Sequence, residues 1–322
     1  MEPAQPATRW TVHAATADND DELLVLFQQV FNTAMPIAQW RWKYAQAPVR
    51  GMMLRRGARA VAFFGGMPRP VQGPAGPLVA VQNGDVMVLP GERGVFSRRG
   101  ALHHVAAAFF GELVGPAKQY EFAFGFPNER HFRLGLKLGL YDAAGRMTLL
   151  TWSPMAARPP WSIEQMPLAG THLERLAPLC AAMHSDWPLH HIPVRDAARW
   201  RTRFVTHPTH RYEILQLRRR VTGNSICAFV LREHEGHVEW LDYAGPAAAA
   251  PHAVAAARGF AQRCGGKPLT AMFSDTIAPA FAAGAATCQP SDIHIPVNAR
   301  PPGENRPYLG RMWLMGGDTD FL

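Results

Sequence analysis

Cysteine is scarce. Cys180, Cys227, Cys264 and Cys288 are the four in 322 residues, and no two stand as Cys-x-x-Cys. That scatter excludes a disulfide framework and a cysteine zinc site, and fits buried, reduced thiols. No apolar run approaches the ~18–20 residues that a membrane span needs. The opening MEPAQPATRW lacks a charged segment followed by an apolar one, so no secretory leader is expected and the cytoplasm is the expected location. Gly-Lys-Ser/Thr does not occur, nor does Gly-x-Gly-x-x-Gly, which excludes a P-loop and a Rossmann fingerprint. Histidines crowd one region at His184, His190, His191, His207 and His210, and His234-Glu235-Gly236-His237 misses His-Glu-x-x-His by one residue. None of these spacings is that of a helix-borne zinc pair, so no metal is expected.

What is present describes a soluble globular chain, 48% apolar and 18% charged, with length for two ordinary domains. The net charge of +8 and pI near 9.7 favour anionic partners of any kind. The basic clusters Arg55-Arg56, Arg98-Arg99 and Arg218-Arg219-Arg220 are short and dispersed. No nucleic-acid-binding signature accompanies them, and nucleic acid is not an expected partner.

The informative stretch is Asn83 to Val114. Val86 to Leu89 is a short apolar run suited to a buried strand, stopped by Pro90-Gly91. From Ala101 the residues Leu102, Val105, Ala106, Phe109, Phe110 and Leu113 recur at steps of three and four, the stripe of a helix packed on a sheet. Between them, Arg93, Gly94, Val95, Phe96, Ser97, Arg98, Arg99 and Gly100 place three arginines just before free helix N–H groups. Backbone donors, helix dipole and guanidinium charge there all favour an anion such as a diphosphate. An ordinary solvated loop has the same local pattern.

Asp85-x-Met87-Val88-x-Pro90-x-x-Arg93-Gly94 followed by a helix resembles the acyl-CoA-binding segment of the GNAT N-acetyltransferase superfamily. Phe124-Gly125-Phe126-Pro127-Asn128, leading through His131 and Leu134 to Gly139-Leu140, resembles that family's next strand, its Asn and the helix closing on Gly. The resemblance implies acyl-CoA, most simply acetyl-CoA, as co-substrate and a small-molecule amine as acceptor. It implies that two strands splay, that Val88, with Leu89 next to it, offers a backbone N–H to the thioester oxygen, that Arg93 to Gly100 cradles the pyrophosphate, and that Asn128 lies near the pantetheine arm. Asp85 is the candidate base, with Glu121 in reserve. An aspartate after Asn-Gly also reads as a turn former. The family's tyrosine, the acid for the leaving thiolate, has its place at Gly135, with Tyr141 nearby.

Along the rest of the chain, Asn19 to Glu22 opens a helix with Leu23, Leu26, Phe27, Val30 and Phe31 on its apolar face. Met52–Arg56 and Ala60–Phe64 form a hairpin. Leu78–Gln82 and Asp85–Leu89 are strands, or one strand interrupted at Asn83-Gly84. Met147–Trp152 closes the first half, and Ser153–Trp161 reads as a linker. Thr171-His172-Leu173-Glu174 is a capping box. Trp200-Arg201-Thr202-Arg203-Phe204-Val205-Thr206-His207-Pro208 then repeats Trp40-Arg41-Trp42-Lys43-Tyr44-Ala45-Gln46-Ala47-Pro48 at an offset of 160. Similar elements follow each copy, which argues for tandem copies of one domain. After Asp242 no arginine stands near the second helix start until Arg258, so only the first half is expected to hold CoA.

The expected fold class is therefore α/β (α+β): two GNAT-like domains, 1–155 and 156–322, each a mixed, mostly antiparallel sheet flanked by helices. The expected activity is N-acyl transfer. Two rivals are a catalytically inert acyl-CoA sensor and a Fem-type aminoacyl-tRNA-dependent transferase. The acids Asp318 and Asp320 near the end of the sequence either face a cationic acceptor or belong to a solvated tail.

Overall fold

The computed structural model describes residues 9–93, 97–156, 161–166, 174–299 and 305–319. Gly94, Val95 and Phe96, the capping-box residues Thr171 to Leu173, and Asp320 lie outside them. The first half runs β1 (Thr11–Ala15), α1 (Asp20–Phe31), α2 (Ile37–Lys43), β2 (Gly51–Arg56), β3 (Arg59–Gly73), β4 (Gly76–Val88), α3 (Ala101–Leu113), β5 (Ala123–Gly125), α4 (Glu129–Leu138) and β6 (Asp142–Trp152). The second runs β7 (Trp161–Gln165), α5 (Leu176–Asp186), β8 (Ile192–Pro193), α6 (Ala197–Trp200), β9 (Glu213–Arg219), β10 (Ser225–Glu233), β11 (Val238–Ala244), α7 (Ala250–Arg263), β12 (Leu269–Ser274), α8 (Ala278–Phe281) and β13 (Thr287–Asn298).

The strands join into one sheet in the order β1-β2-β3-β4-β5-β13-β6-β12-β11-β10-β9-β7, with β8 on β3. Among the named strands only β4/β5 and β11/β12 pair in parallel, and their other described pairings are antiparallel. Outward from the β13/β6 junction the two sides match strand for strand, each meeting its parallel pair at the same step. The strand beside β5 is thus β13, from the far end of the sequence, and β6 lies beside β12. Met147–Trp152, read as closing the first half, reaches across to the second: Leu269 pairs with Trp152 and Ser274 with Met147.

β13 escapes sequence reading because Pro290 and Pro296 interrupt it, and proline inside a run argues against a strand. Both prolines sit at the two register shifts against β6. The hairpin of β3 and β4 is longer than the sequence suggests, and the interruption is a bulge at Asp85-Val86, just after Asn83-Gly84: β4 stays continuous while its register against β3 shifts between Phe63 and Gly65.

Side chains from both halves share a core. Val71, Phe122, Phe124, Ala144 and Met147 pack with Ile295, Val297, Met312 and Leu314, all buried. Asp20, expected among the first-turn acids of α1, turns inward, accepting from Trp40 Nε1 at 2.8 Å and pairing with Arg50 Nε at 3.2 Å. Asp242 does the same for Trp200 Nε1 at 3.0 Å and Arg195 Nε at 2.6 Å. Asp318 is also buried, taking Arg195 Nη2 at 2.5 Å, so residues 312–318 form core and not a solvated tail. Cys227 is buried, but Cys288 is exposed on β13, against the expectation that all four thiols are packed away. No helix among the described residues is long and apolar enough to cross a membrane.

His191 packs edge-on to Phe122 and against Tyr308, its Nδ1 lacking a partner among the described residues. Burial holds its pKa down to about 4. Between about pH 6.5 and 4 the unfolded chain therefore binds a proton that the folded chain refuses, so stability present above pH 6.5 is lost as pH falls through that window, by at most ~1.4 kcal/mol per pH unit. Denaturant midpoints across pH 4–7 should be flatter for His191→Phe than for the parent; identical slopes would show that His191 does not contribute.

Candidate active site

β4 and β5 hold together only briefly. Val81 faces Ala123, Gln82 faces Phe124 and Asn83 faces Gly125, after which β5 ends and β4 runs on to Val88. The separation begins at the bulge, where Asp85 takes φ +50°, a left-handed conformation that Asn and Asp tolerate better than most residues. Leu89 N donates to Val61 O at 2.9 Å. By antiparallel alternation the N–H groups of Val88 and Val86 then point away from β3, toward the gap that β5 leaves.

That gap opens into a cavity of about 700 Å³. Its walls are largely apolar, with Phe27, Phe31, Phe64, Phe110, Phe124 and Phe126 among them, and its polar members include Asn83, Asp85, Asn128 and His131. Apolar and aromatic walls with a few convergent polar groups are the usual make-up of a small-molecule site.

The structure distributes the predicted residues unevenly. Asp85 lines the cavity, and its carboxylate accepts from Lys43 Nζ at 2.8 Å and from Tyr44 Oη at 2.8 Å. It is neither a lone base nor a simple turn former. Val86 lines the cavity, whereas Val88 packs against buried side chains of the first half and gives its carbonyl to Arg93 Nε at 2.8 Å. Leu89 is buried. Arg93, Ser97, Arg98 and Arg99 are exposed, Arg99 N bonding Ser97 Oγ, and Gly100 caps α3 without any side-chain hydrogen bond to its first-turn amides. Arg98 reaches toward Gly139 at the end of α4. Asn128 is spent locally: its Oδ1 caps α4 by accepting from His131 N at 3.1 Å, although the residue lines the cavity as well. Glu121, the reserve base, is exposed and is not among the cavity-lining residues.

Comparison with known proteins is structural only: no family model and no curated protein matches this sequence. Among solved structures, a probable N-acyltransferase from Enterococcus faecalis V583 superposes with a TM-score of 0.65 at 13% identity, over 90% of this chain and 72% of that one. A GCN5-related N-acetyltransferase from Kribbella flavida gives a TM-score of 0.65 at 12% identity, over 91% and 72%. The N-myristoyltransferase of Saccharomyces cerevisiae, solved with bound myristoyl-CoA and inhibitors, gives 0.59 at 10% identity, over 92% and 82%. The fold is that of the GCN5-related N-acetyltransferases.

At Gly135, where the resemblance implies a tyrosine, the ring of Tyr141 lies close. A Cβ on Gly135 would overlap the Tyr141 phenol, so the ring from just beyond α4 occupies the space that Gly135 leaves. Tyr141 lines the cavity, stacks on Phe132, and donates to His131 O at 3.0 Å. Burial raises its pKa, so the phenol keeps its proton. Gly135→Ala should displace the ring and cost ~1–3 kcal/mol, the usual price of overpacking, read as a lower denaturant midpoint. An unchanged midpoint would mean that the ring moves freely.

His131 was passed over in the sequence as a mere step toward Gly139. It lines the cavity, and burial, then the charges of Arg130 and Arg93, lower its pKa and keep the ring neutral, a state in which it can accept a proton. The signal available was its place three residues after the Asn128 cap, in the first turn of α4.

The corresponding gap in the second half is filled. β11 and β12 pair from Val238/Leu269 to Trp240/Ala271 and then part. Ser274 N bonds Leu314 O at 2.9 Å, Phe273 bridges to Met315, and a Cβ on Gly317 would come within 2.7 Å of Leu241 O. Residues 314–317 therefore sit where the first half is open. Among the described residues no group of His, Cys, Asp and Glu could hold a metal ion.

Proposed function

We propose that this protein is an N-acyltransferase that moves an acyl group, acetyl in the simplest case, from acyl-CoA to the primary amine of a small molecule. The observation that carries the reading is the open gap after Asn83/Gly125, with outward-facing N–H groups of Val86 and Val88, ahead of an uncapped helix preceded by arginines. The backbone donors would stabilise charge developing on the thioester oxygen, which requires only fixed N–H groups at the right place. Asp85, or His131 beside it in the cavity, would take the amine proton, and Tyr141 would return one to the departing thiolate sulfur. The exposed side chains of Arg93, Arg98 and Arg99, together with the α3 amides, would hold the pyrophosphate.

The two halves, divided at 155/156, are proposed to be copies of one domain that exchange their last strands. The matched strand order supports this, and so does a contact across the offset: Trp42 Nε1 donates to Thr202 O at 2.7 Å, and these two positions correspond in the repeat. A two-fold axis brings such equivalent positions together. With its own gap filled by residues 314–317, the second copy would shape the acceptor side.

A thermal-shift series with acetyl-CoA and longer acyl-CoA thioesters tests the site. A ligand at 100 times its dissociation constant stabilises by ~2.7 kcal/mol. The parent should melt higher with thioester, and Arg98→Ala/Arg99→Ala should lose most of that rise. Equal rises in both proteins would move the pyrophosphate elsewhere, and binding without thiol release across an amine panel would favour an inert sensor.

A further inference from the structure

A second, smaller cavity of about 30 Å³ lies beside the first, lined by Trp42, Lys43, Arg69, Arg199, Arg203 and Thr319 among others. It exceeds the ~10–15 Å³ that one water needs. Its described lining contains four cationic side chains and no acid. Lys43 is shared with the large cavity, where it holds Asp85. Arg203 stands over the Trp42 ring at 5.3 Å and gives Nε to Gly317 O and Nη2 to Thr319 O. Arg69 gives Nε to Gln82 Oε1 at 2.8 Å.

Arg199 differs from its neighbours. Its Nη2 is buried and has no hydrogen-bond partner among the described residues. Burial, then the charge of Arg203, pulls its pKa down to about 10, so it remains a cation at neutral pH. Arg195, one turn earlier, shows what such a group requires, since it is matched by Asp242 and Asp318. Asp318 and Asp242 act on Arg199 only through space, without a hydrogen bond to it; a guanidinium nitrogen buried without a partner is costly, and a planar carboxylate is the group that its fork fits best.

We infer that this pocket binds a carboxylate. Two sources fit: the carboxylate of an amino-acid-like acceptor, whose amine would then lie toward Asp85 across Lys43, or the side chain of Asp320, the residue after Thr319 in the sequence. Assigning the carboxylate to the acceptor rests on the acyl-transfer reading; the pocket itself does not.

The test is melting of the full chain without any CoA compound, in sodium chloride and in sodium acetate at equal ionic strength, for the parent, Arg199→Met, Asp320→Asn and the double variant. Acetate should raise the parent's melting temperature by at least about 1–2 °C over chloride, and Arg199→Met should abolish that rise; this supports a free carboxylate. Alternatively, acetate has no effect while Asp320→Asn lowers the parent's melting temperature but not that of Arg199→Met; this supports Asp320 as the source. Acetate rises of equal size with and without Arg199, or no acetate effect together with additive behaviour of the two substitutions, would overturn the inference. In the first case a transfer assay comparing glycine with glycinamide then reads the acceptor assignment: an Arg199→Met increase in KM confined to glycine supports it, and equal changes for both amines refute it without touching the pocket.

Discussion

Asp85→Asn is expected to lower turnover by ~10²–10⁴-fold, the range in which a positioned general base contributes, while leaving thioester binding intact. The carboxylate stands at the parting of β4 and β5, on a residue of β4 held in a left-handed conformation, and it lines the cavity. A purely structural account competes with this. Lys43 and Asp85 are a buried pair, their side chains 4% and 7% exposed, and removing one member of such a pair typically costs ~3–5 kcal/mol. Asp85→Asn alone could therefore lose activity through a damaged fold.

Lys43→Met combined with Asp85→Asn separates the two accounts, because the double variant leaves no buried charge unmatched. Its denaturant midpoint should return toward that of the parent while its turnover stays low. Turnover that recovers along with stability would reduce Asp85 to a counter-ion for Lys43. His131→Gln would then be the variant that silences transfer, since His131 is the neutral imidazole lining the same cavity.

How much of this was legible in the sequence depends on how local each feature is. α3 announced itself through its apolar stripe, and the bulge just after Asn83-Gly84 through those turn residues, because both follow from neighbours within one turn or one hairpin. The role of Gly135 was legible only as an absence: the sequence shows no tyrosine there, and only the fold shows Tyr141 lying over it. Nothing local to Asp20 or Asp242 signals burial, yet each is buried against a tryptophan N–H and an arginine distant in sequence. The filling of the second gap by residues 314–317 involves contacts over about forty to seventy-five positions, which no periodicity records. β13 was hidden for a different reason, its two prolines, although those prolines mark the shifts that let it follow β6.

Produced alone, residues 1–156 should fail to fold. Without β13 the short strand β5 loses its antiparallel neighbour, leaving Val297 absent from Phe124 and Asn298 from Ala123. The shared core loses Ile295, Val297, Met312 and Leu314, all fully or almost fully buried. At ~1.5–3 kcal/mol per large apolar side chain this is on the order of 6–12 kcal/mol, as large as the ~5–15 kcal/mol by which whole domains are stable. Asn298 Nδ2 would also no longer bond Leu140 O, the residue that follows α4 at the cavity wall. Near-ultraviolet circular dichroism and denaturant melts should show no cooperative transition for residues 1–156, and co-production with residues 157–322 should restore one. A cooperative transition in the isolated piece would mean that β5 and its core close without the exchanged strand, and the strand order would then describe a docking of two self-sufficient domains.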